Sequence, residues 1–206
     1  MDTAALITAF ATLFVVIDPI GLTPIFIALT AGADARHRRA VALRACITAF
    51  AVLTLFAFLG EAVLGFIGIS MPAFRIAGGI LLFLTALDML FERRTKRRED
   101  KVEPEDMPDP SVFPIAIPLI AGPGAIATMI LLAGQSDSAL EMAGIMGVMV
   151  SVLAIVMVMF LLAGLIERAL GRTGIVVVTR LLGMLLAALS VQFVLDGLRA
   201  FGFGAL

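Results

Sequence analysis

"VVIDPIGLTPIF" occupies residues 15–26, in the middle of a run apolar enough to cross a bilayer. It sets a carboxylate, Asp18, beside Pro19, with Gly21 and Pro24 close behind. A proline inside a helix removes one backbone donor and presses on the preceding turn, and neighbouring glycines loosen the backbone further. A second such place occurs in "PLIAGPGAIATMI" (118–130), where Gly122, Pro123 and Gly124 fall at the middle of the apolar run 112–133. The two stretches predict two membrane segments, each broken into half-helices joined by a short unwound stretch. Unwound backbone at membrane depth persists only where protein buries it or a wet cavity meets it. There it offers carbonyls to a cation, while the half-helix N-terminus offers N–H groups and a positive dipole end to an anion. Either break alone reads equally well as a structural kink; the matched pair, one with an embedded Asp, favours a site.

The composition agrees with a membrane setting. The 206 residues are 61% hydrophobic and 15% charged, against about 45–50% and 25% in a soluble domain. A net charge of −1 supplies no basic surface for nucleic acid. One cysteine, Cys46, excludes an internal disulfide and a cysteine metal cluster. The lone histidine, His37, stands among arginines and reads as a solvated residue of a short loop. No nucleophile–base pair, metal-ligand set or cofactor motif is evident, so neither an enzyme nor a cofactor is expected. The opening "MDTAALITAF" has no basic residue ahead of its apolar run, which predicts no cleavable signal peptide.

Runs of about 20 apolar residues are the length of a membrane-crossing helix. Six are present, at 4–29, 41–67, 72–91, 112–133, 140–166 and 175–200. Basic residues set their orientation. Arg36, Arg38 and Arg39 fall in the first connection, Arg93, Arg94, Lys96, Arg97, Arg98 and Lys101 in the third, and Arg168 and Arg172 in the fifth; the second and fourth hold none. Odd connections are therefore expected to be cytoplasmic and both termini extracytoplasmic. The charged, proline-containing stretch 92–110 reads as a cytoplasmic linker without a core of its own.

The segments flanking that linker resemble each other. "EAVLGFIGI" (61–69) matches "ERALGRTGI" (167–175), and "RIAGGILLFLT" from Arg75 matches "RLLGMLLAALS" from Arg180, with Thr85 in register with Ser190. Each half carries three spans, so a duplicate must enter the membrane from the opposite side, as the basic residues indicate independently. The expected fold is all-α: a polytopic membrane protein of six transmembrane helices, built as two inverted three-helix repeats (1–91 and 111–206) with helices 1 and 4 broken. Inverted repeats with interrupted helices at matching places are a recurrent plan of secondary transporters, which bind solute near the midplane.

The polar residues inside the spans are the site candidates. A carboxylate at a helix centre costs about 2.5–3.5 kcal/mol on insertion scales, so Asp18 reads as an ion-coupling or substrate group, as the cap of the second half-helix, or as both. Asp88 and Asp196, near the ends of their spans, read as interfacial, and Glu61 and Glu167 as boundary residues. Arg75 and Arg180 either snorkel to headgroups or reach inward to hold a carboxylate. Thr23, Thr128, Ser190 and Gln192 either line the site or bond the backbone of their own helix. Gly78, Gly79 and Gly183 suit close helix packing.

"DPIGLTPIF", "GISMPAFRIAGGILLF", "PLIAGPGAIATMI" and "TRLLGMLLAALSVQFVLDGL" together resemble the MarC family, also described as the neutral amino acid transporter family, over nearly the whole chain. The resemblance implies a six-span protein of the bacterial inner membrane that transports small neutral amino acids such as glycine and alanine. One position departs from it. Where the family commonly has Asn after Asp-Pro-x-Gly, this chain has Leu22, with Thr23 the nearest polar side chain.

The expectation is a secondary transporter working by alternating access. The solute carboxylate would sit at the half-helix N-termini near Gly21 and Gly124, and its ammonium near Asp18 or the exposed carbonyls. The partners expected are a small neutral amino acid, the lipid bilayer and a coupling proton or sodium ion; the oligomeric state is left open. The rivals are a small-solute channel, which would need a continuous polar stripe, and a membrane scaffold without transport activity.

Overall fold

The computed structural model describes residues 3–30, 32–91 and 109–203, without the side chains of Glu167, Arg168 and Arg172. Those three side chains, and the linker apart from Asp109 and Pro110, lie outside the described residues. Among the described residues every regular element is helical: α1 (Thr3–Ile17), α2 (Pro19–Leu29), α3 (Ala35–Ile67), α4 (Met71–Leu90), α5 (Ser111–Ile120), α6 (Pro123–Ala133), α7 (Ala139–Leu161) and α8 (Ala163–Ala200). Five spans are long and apolar enough to cross a membrane, with α1 and α2 forming one of them, and the bent pair α5 and α6 brings the number to six. The protein is an all-α polytopic membrane protein. Large apolar side chains such as Phe66 and Leu140 point outward, at 93% and 83% exposure, where lipid replaces water.

The segment boundaries repeat. Helices α2 and α6 are each 11 residues long and each begin with proline, Pro19 and Pro123, where the missing N–H costs nothing. The next long helix is then capped by a side chain in both halves: Asp34 accepts from the His37 N–H at 2.7 Å, and Ser138 from the Glu141 N–H at 3.2 Å. Pro19 and Pro123, and the caps Asp34 and Ser138, are both 104 residues apart.

Three local expectations are corrected. The basic residues of the first connection are helical rather than in a loop, because Asp34 caps α3 early and places Arg36, His37, Arg38 and Arg39 in its first turns. The fifth connection is also helical. α8 runs from Ala163 and is interrupted at Gly171, whose φ of 61° suits a residue without a Cβ. The first half of the second broken span is not an α-helix. Pro114 and Pro118 withhold two N–H groups, and the residues before them, Phe113 and Ile117, are extended (φ −124° and −126°), as residues preceding proline prefer. The chain closes around them with five-residue spacing, Ile115 N–H to Pro110 O and Ala121 N–H to Ala116 O.

Small residues let the helices approach closely. A Cβ on Gly79 would stand 2.8 Å from the Ser190 carbonyl oxygen, one on Gly197 2.9 Å from that of Pro72, and one on Gly183 3.3 Å from that of Ala86. These three contacts run α4 antiparallel to α8, the relation that inverted repeats require of their third helices. On α3, Ala42, Ala45, Ala49 and Leu53 form a fully buried stripe at the helical period. Phe26 of α2 stacks on Phe160 of α7, with ring centroids 4.3 Å apart. The core therefore closes around the two broken segments.

Candidate functional site

The two breaks differ. At the first, the interruption is one residue wide rather than an unwound stretch. Asp18 takes a left-handed conformation (φ 53°, ψ 66°), which Asp tolerates better than most residues. Its N–H still reaches the Phe14 carbonyl at 2.9 Å, and its carbonyl accepts the Leu22 N–H at 3.0 Å. Its carboxylate turns back to accept the Gly21 N–H at 3.0 Å, capping α2. Asp18 is 1% exposed. Gly21 is required there, since a Cβ on it would meet the Asp18 carboxylate and lie 3.1 Å from the Thr179 hydroxyl of α8. The first half-helix N-terminus is thus occupied by the chain's own carboxylate.

The second break has no such occupant. The axes of α5 and α6 bend by 58° across Ala121 and Gly122. Gly122 is the cap residue of α6 and has no side chain to accept its first amides. After Pro123, which has no N–H, the next amides at this end are those of Gly124 and Ala125, in a turn whose donors lack intrahelical acceptors. A cavity of about 240 Å³ opens here. Its wall is the end of α5 (Pro118, Leu119, Ile120), the start of α6 (Gly122 to Ala125), Val16 of α1, and Thr85 and Asp88 of α4. A Cβ on Gly124 would lie 3.3 Å from Val16 Cγ1, 3.1 Å from Leu82 Cδ2 and 3.8 Å from Thr85 Oγ1. Val16 stands two residues before Asp18, so the first break lies close to the second.

The cavity is electrically bipolar. The N-terminus of α6 contributes the positive end of a helix dipole. Asp88, two residues before the end of α4, contributes a carboxylate beside the negative end of another. Asp88, near the end of its span as expected, is half-buried and lines the cavity wall, because α4 lies against α6 along Leu82 and Thr85. Sequence position near a span end hid this; the one available signal was helical spacing, which puts Leu82, Thr85 and Asp88 on one face.

The remaining candidates divide. Thr23 and Ser190 are buried and bond their own helix, to Pro19 O at 3.0 Å and Ala187 O at 2.6 Å. Thr128, one turn beyond Gly124, is fully buried and its hydroxyl has no hydrogen-bond partner among the described residues; the hydroxyl of Thr179 has none either. Gln192 is exposed and donates to Asp196 at 2.8 Å, which also faces Arg199 at 3.7 Å. The structure therefore does not bring Gln192 to the breaks. Arg75 is half-buried in the first turns of α4, and Arg180 is exposed on α8; neither lines the cavity. Leu22, at the departing position, is 2% exposed and packs in the core. Among the described residues no group of three or more His, Cys, Asp or Glu side chains is placed to hold a metal.

Comparison with known proteins agrees with this architecture. Residues 3–201 match the family described as MarC family integral membrane protein. A UPF0056 membrane protein of Methanocaldococcus jannaschii is 39% identical over 97% of this chain and 98% of its own length. UPF0056 membrane protein YvbG of Bacillus subtilis is 34% identical over 94% of each chain, and one from Aquifex aeolicus is 36% identical over 94% of this chain and 92% of its own. No solved structure matches. The chain belongs to the MarC family of integral membrane proteins.

Proposed function

We propose that this protein is a secondary transporter of small neutral amino acids that works by alternating access. The observation that carries the reading is the cavity at the second break. A carboxylate fits the uncapped amides of Gly124 and Ala125, and the opposite wall is acidic. Its volume of about 240 Å³ is below the roughly 300–1,000 Å³ of drug-sized sites, which favours a solute of glycine or alanine size. The matched segment boundaries and the antiparallel α4–α8 contact support two bundles that move against each other about this point. The basic residues favour an orientation with both termini outside, and the family resemblance implies the bacterial inner membrane. Coupling to a proton or to sodium belongs to the same proposal.

The test is uptake of labelled glycine and alanine by liposomes carrying the purified protein, with imposed proton or sodium gradients. Gradient-dependent uptake is expected. Gly124→Val should abolish it while leaving protein in the membrane, because the added branches press on Val16 and Leu82 and fill the space above the amides. Uptake no greater than in empty liposomes under every gradient would refute the proposal.

A further inference from the structure

We infer that Asp88, not Asp18, is the counter-charge that holds the solute's ammonium. This rests on the transport reading above. Asp88 lines the cavity beside Thr85, and among the described residues its carboxylate is engaged by no hydrogen bond or ion pair. Asp18 is buried behind Gly21, its carboxylate is bonded to the Gly21 N–H, and it forms no part of the cavity wall.

The repeat explains why the two carboxylates differ in role. The shift that aligns Pro19 with Pro123 aligns Asp18 with Gly122. In the first half the protein supplies the carboxylate that caps the short helix. In the second half the equivalent residue, Gly122, has no side chain; a Cβ there would meet the Pro118 carbonyl oxygen at 2.6 Å, and its backbone lines the cavity. A solute carboxylate at the Gly124 and Ala125 amides would take the capping part that Asp18 plays in the first half. Thr85 Oγ1 lies 3.8 Å from the Cβ position of Gly124, and Asp88 follows Thr85 by three residues, about 4.5 Å along the helix axis. An α-amino acid is the size of molecule that bridges these points, with an ordinary hydrogen bond at each end. The ligand class is thus an α-amino acid zwitterion, and a carboxylate without an ammonium should be a poor ligand.

The experiment measures binding of labelled glycine to purified protein in detergent, with unlabelled glycine and N-acetylglycine as competitors. Wild type should prefer glycine strongly. Asp88→Asn should weaken glycine binding about tenfold or more, of the order expected when one partner of a charge pair is removed, and should lose the preference over N-acetylglycine. Asp88→Glu should keep the preference. Asp18→Asn should keep both affinity and preference. The preference is a ratio within one sample, so a reduced folded fraction does not mimic the effect. Wild-type affinity and preference in Asp88→Asn would overturn the inference while leaving the transport reading standing. Loss of preference in Asp18→Asn with retention in Asp88→Asn would return the role to Asp18. Wild type that binds no glycine would overturn both.

Discussion

Replacement of Asp18 separates its two structural duties. The residue caps α2 through Gly21 and holds a left-handed backbone, at φ 53°. Loss of an N-cap side chain to Ala costs about 0.5–2 kcal/mol, and forcing Ala into the left-handed region costs about 1–2 kcal/mol more. Asp18→Ala should therefore destabilise by about 1.5–4 kcal/mol. For a chain of this length 1 kcal/mol corresponds to about 2–4 °C in Tm, so the expected fall is about 3–16 °C. Asp18→Asn keeps an acceptor and tolerates the conformation, and should unfold within about 2 °C of wild type. Asp18→Gly loses the cap but relieves the backbone, and should fall between the two. Cys46 supplies the assay. It is the one cysteine in the chain and is half-buried in α3, with its thiol 3.9 Å from the Leu153 carbonyl. A thiol-reactive dye followed during heating reads its release. Asp18→Ala unfolding with wild type, or Asp18→Asn falling as far as Asp18→Ala, would refute the cap argument.

Other outcomes follow from the same structure. Gly79→Val should lower the unfolding temperature by several degrees in the dye assay, since overpacking costs about 1–3 kcal/mol and the Cβ meets the Ser190 and Val194 backbone, which cannot turn away, as well as the Val194 side chain. In a Cys46→Ser background, Ile69→Cys and Asp137→Cys should react with an impermeant thiol reagent in intact cells and Ala35→Cys should not; the reverse pattern would invert the proposed orientation. Asp109, ahead of α5, pairs with Arg44 at 2.8 Å. Burial acts to raise its pKa, but the Ser111 hydrogen bonds and the Arg44 and His37 charges outweigh this and hold it below the usual carboxylate value. A depressed carboxylate stabilises above its unfolded pKa and loses that contribution as pH falls through the folded one. Arg44→Gln should cost at most about 1 kcal/mol, as for an exposed pair, and only where Asp109 is ionised. Unfolding curves at pH 7 and pH 3 check this; an equal loss at both would refute it.

Composition and spacing alone determined the membrane class, the positions of six apolar segments and the two breaks. These depend on local properties: about 20 consecutive apolar residues must cross, and proline cannot donate wherever it stands. Pro19 and Pro123 could be read in this way because their effect on the backbone does not wait for a partner. The shape of each break was less legible. Whether a break is one left-handed residue, as at Asp18, or a bend between unlike segments, as at Gly122, depends on what caps the next helix and on which prolines precede it. The site was least legible of all. Asp18 and Asp88 are both carboxylates in apolar surroundings, and mid-span position favoured Asp18. Packing treats the two differently: the Asp18 carboxylate turns onto its own chain at Gly21, while the close contact of α4 with α6 at Gly124 puts Asp88, still near its span end, in the cavity wall. A side chain's partners are set by which helices touch and at what distance, and a linear chain records neither.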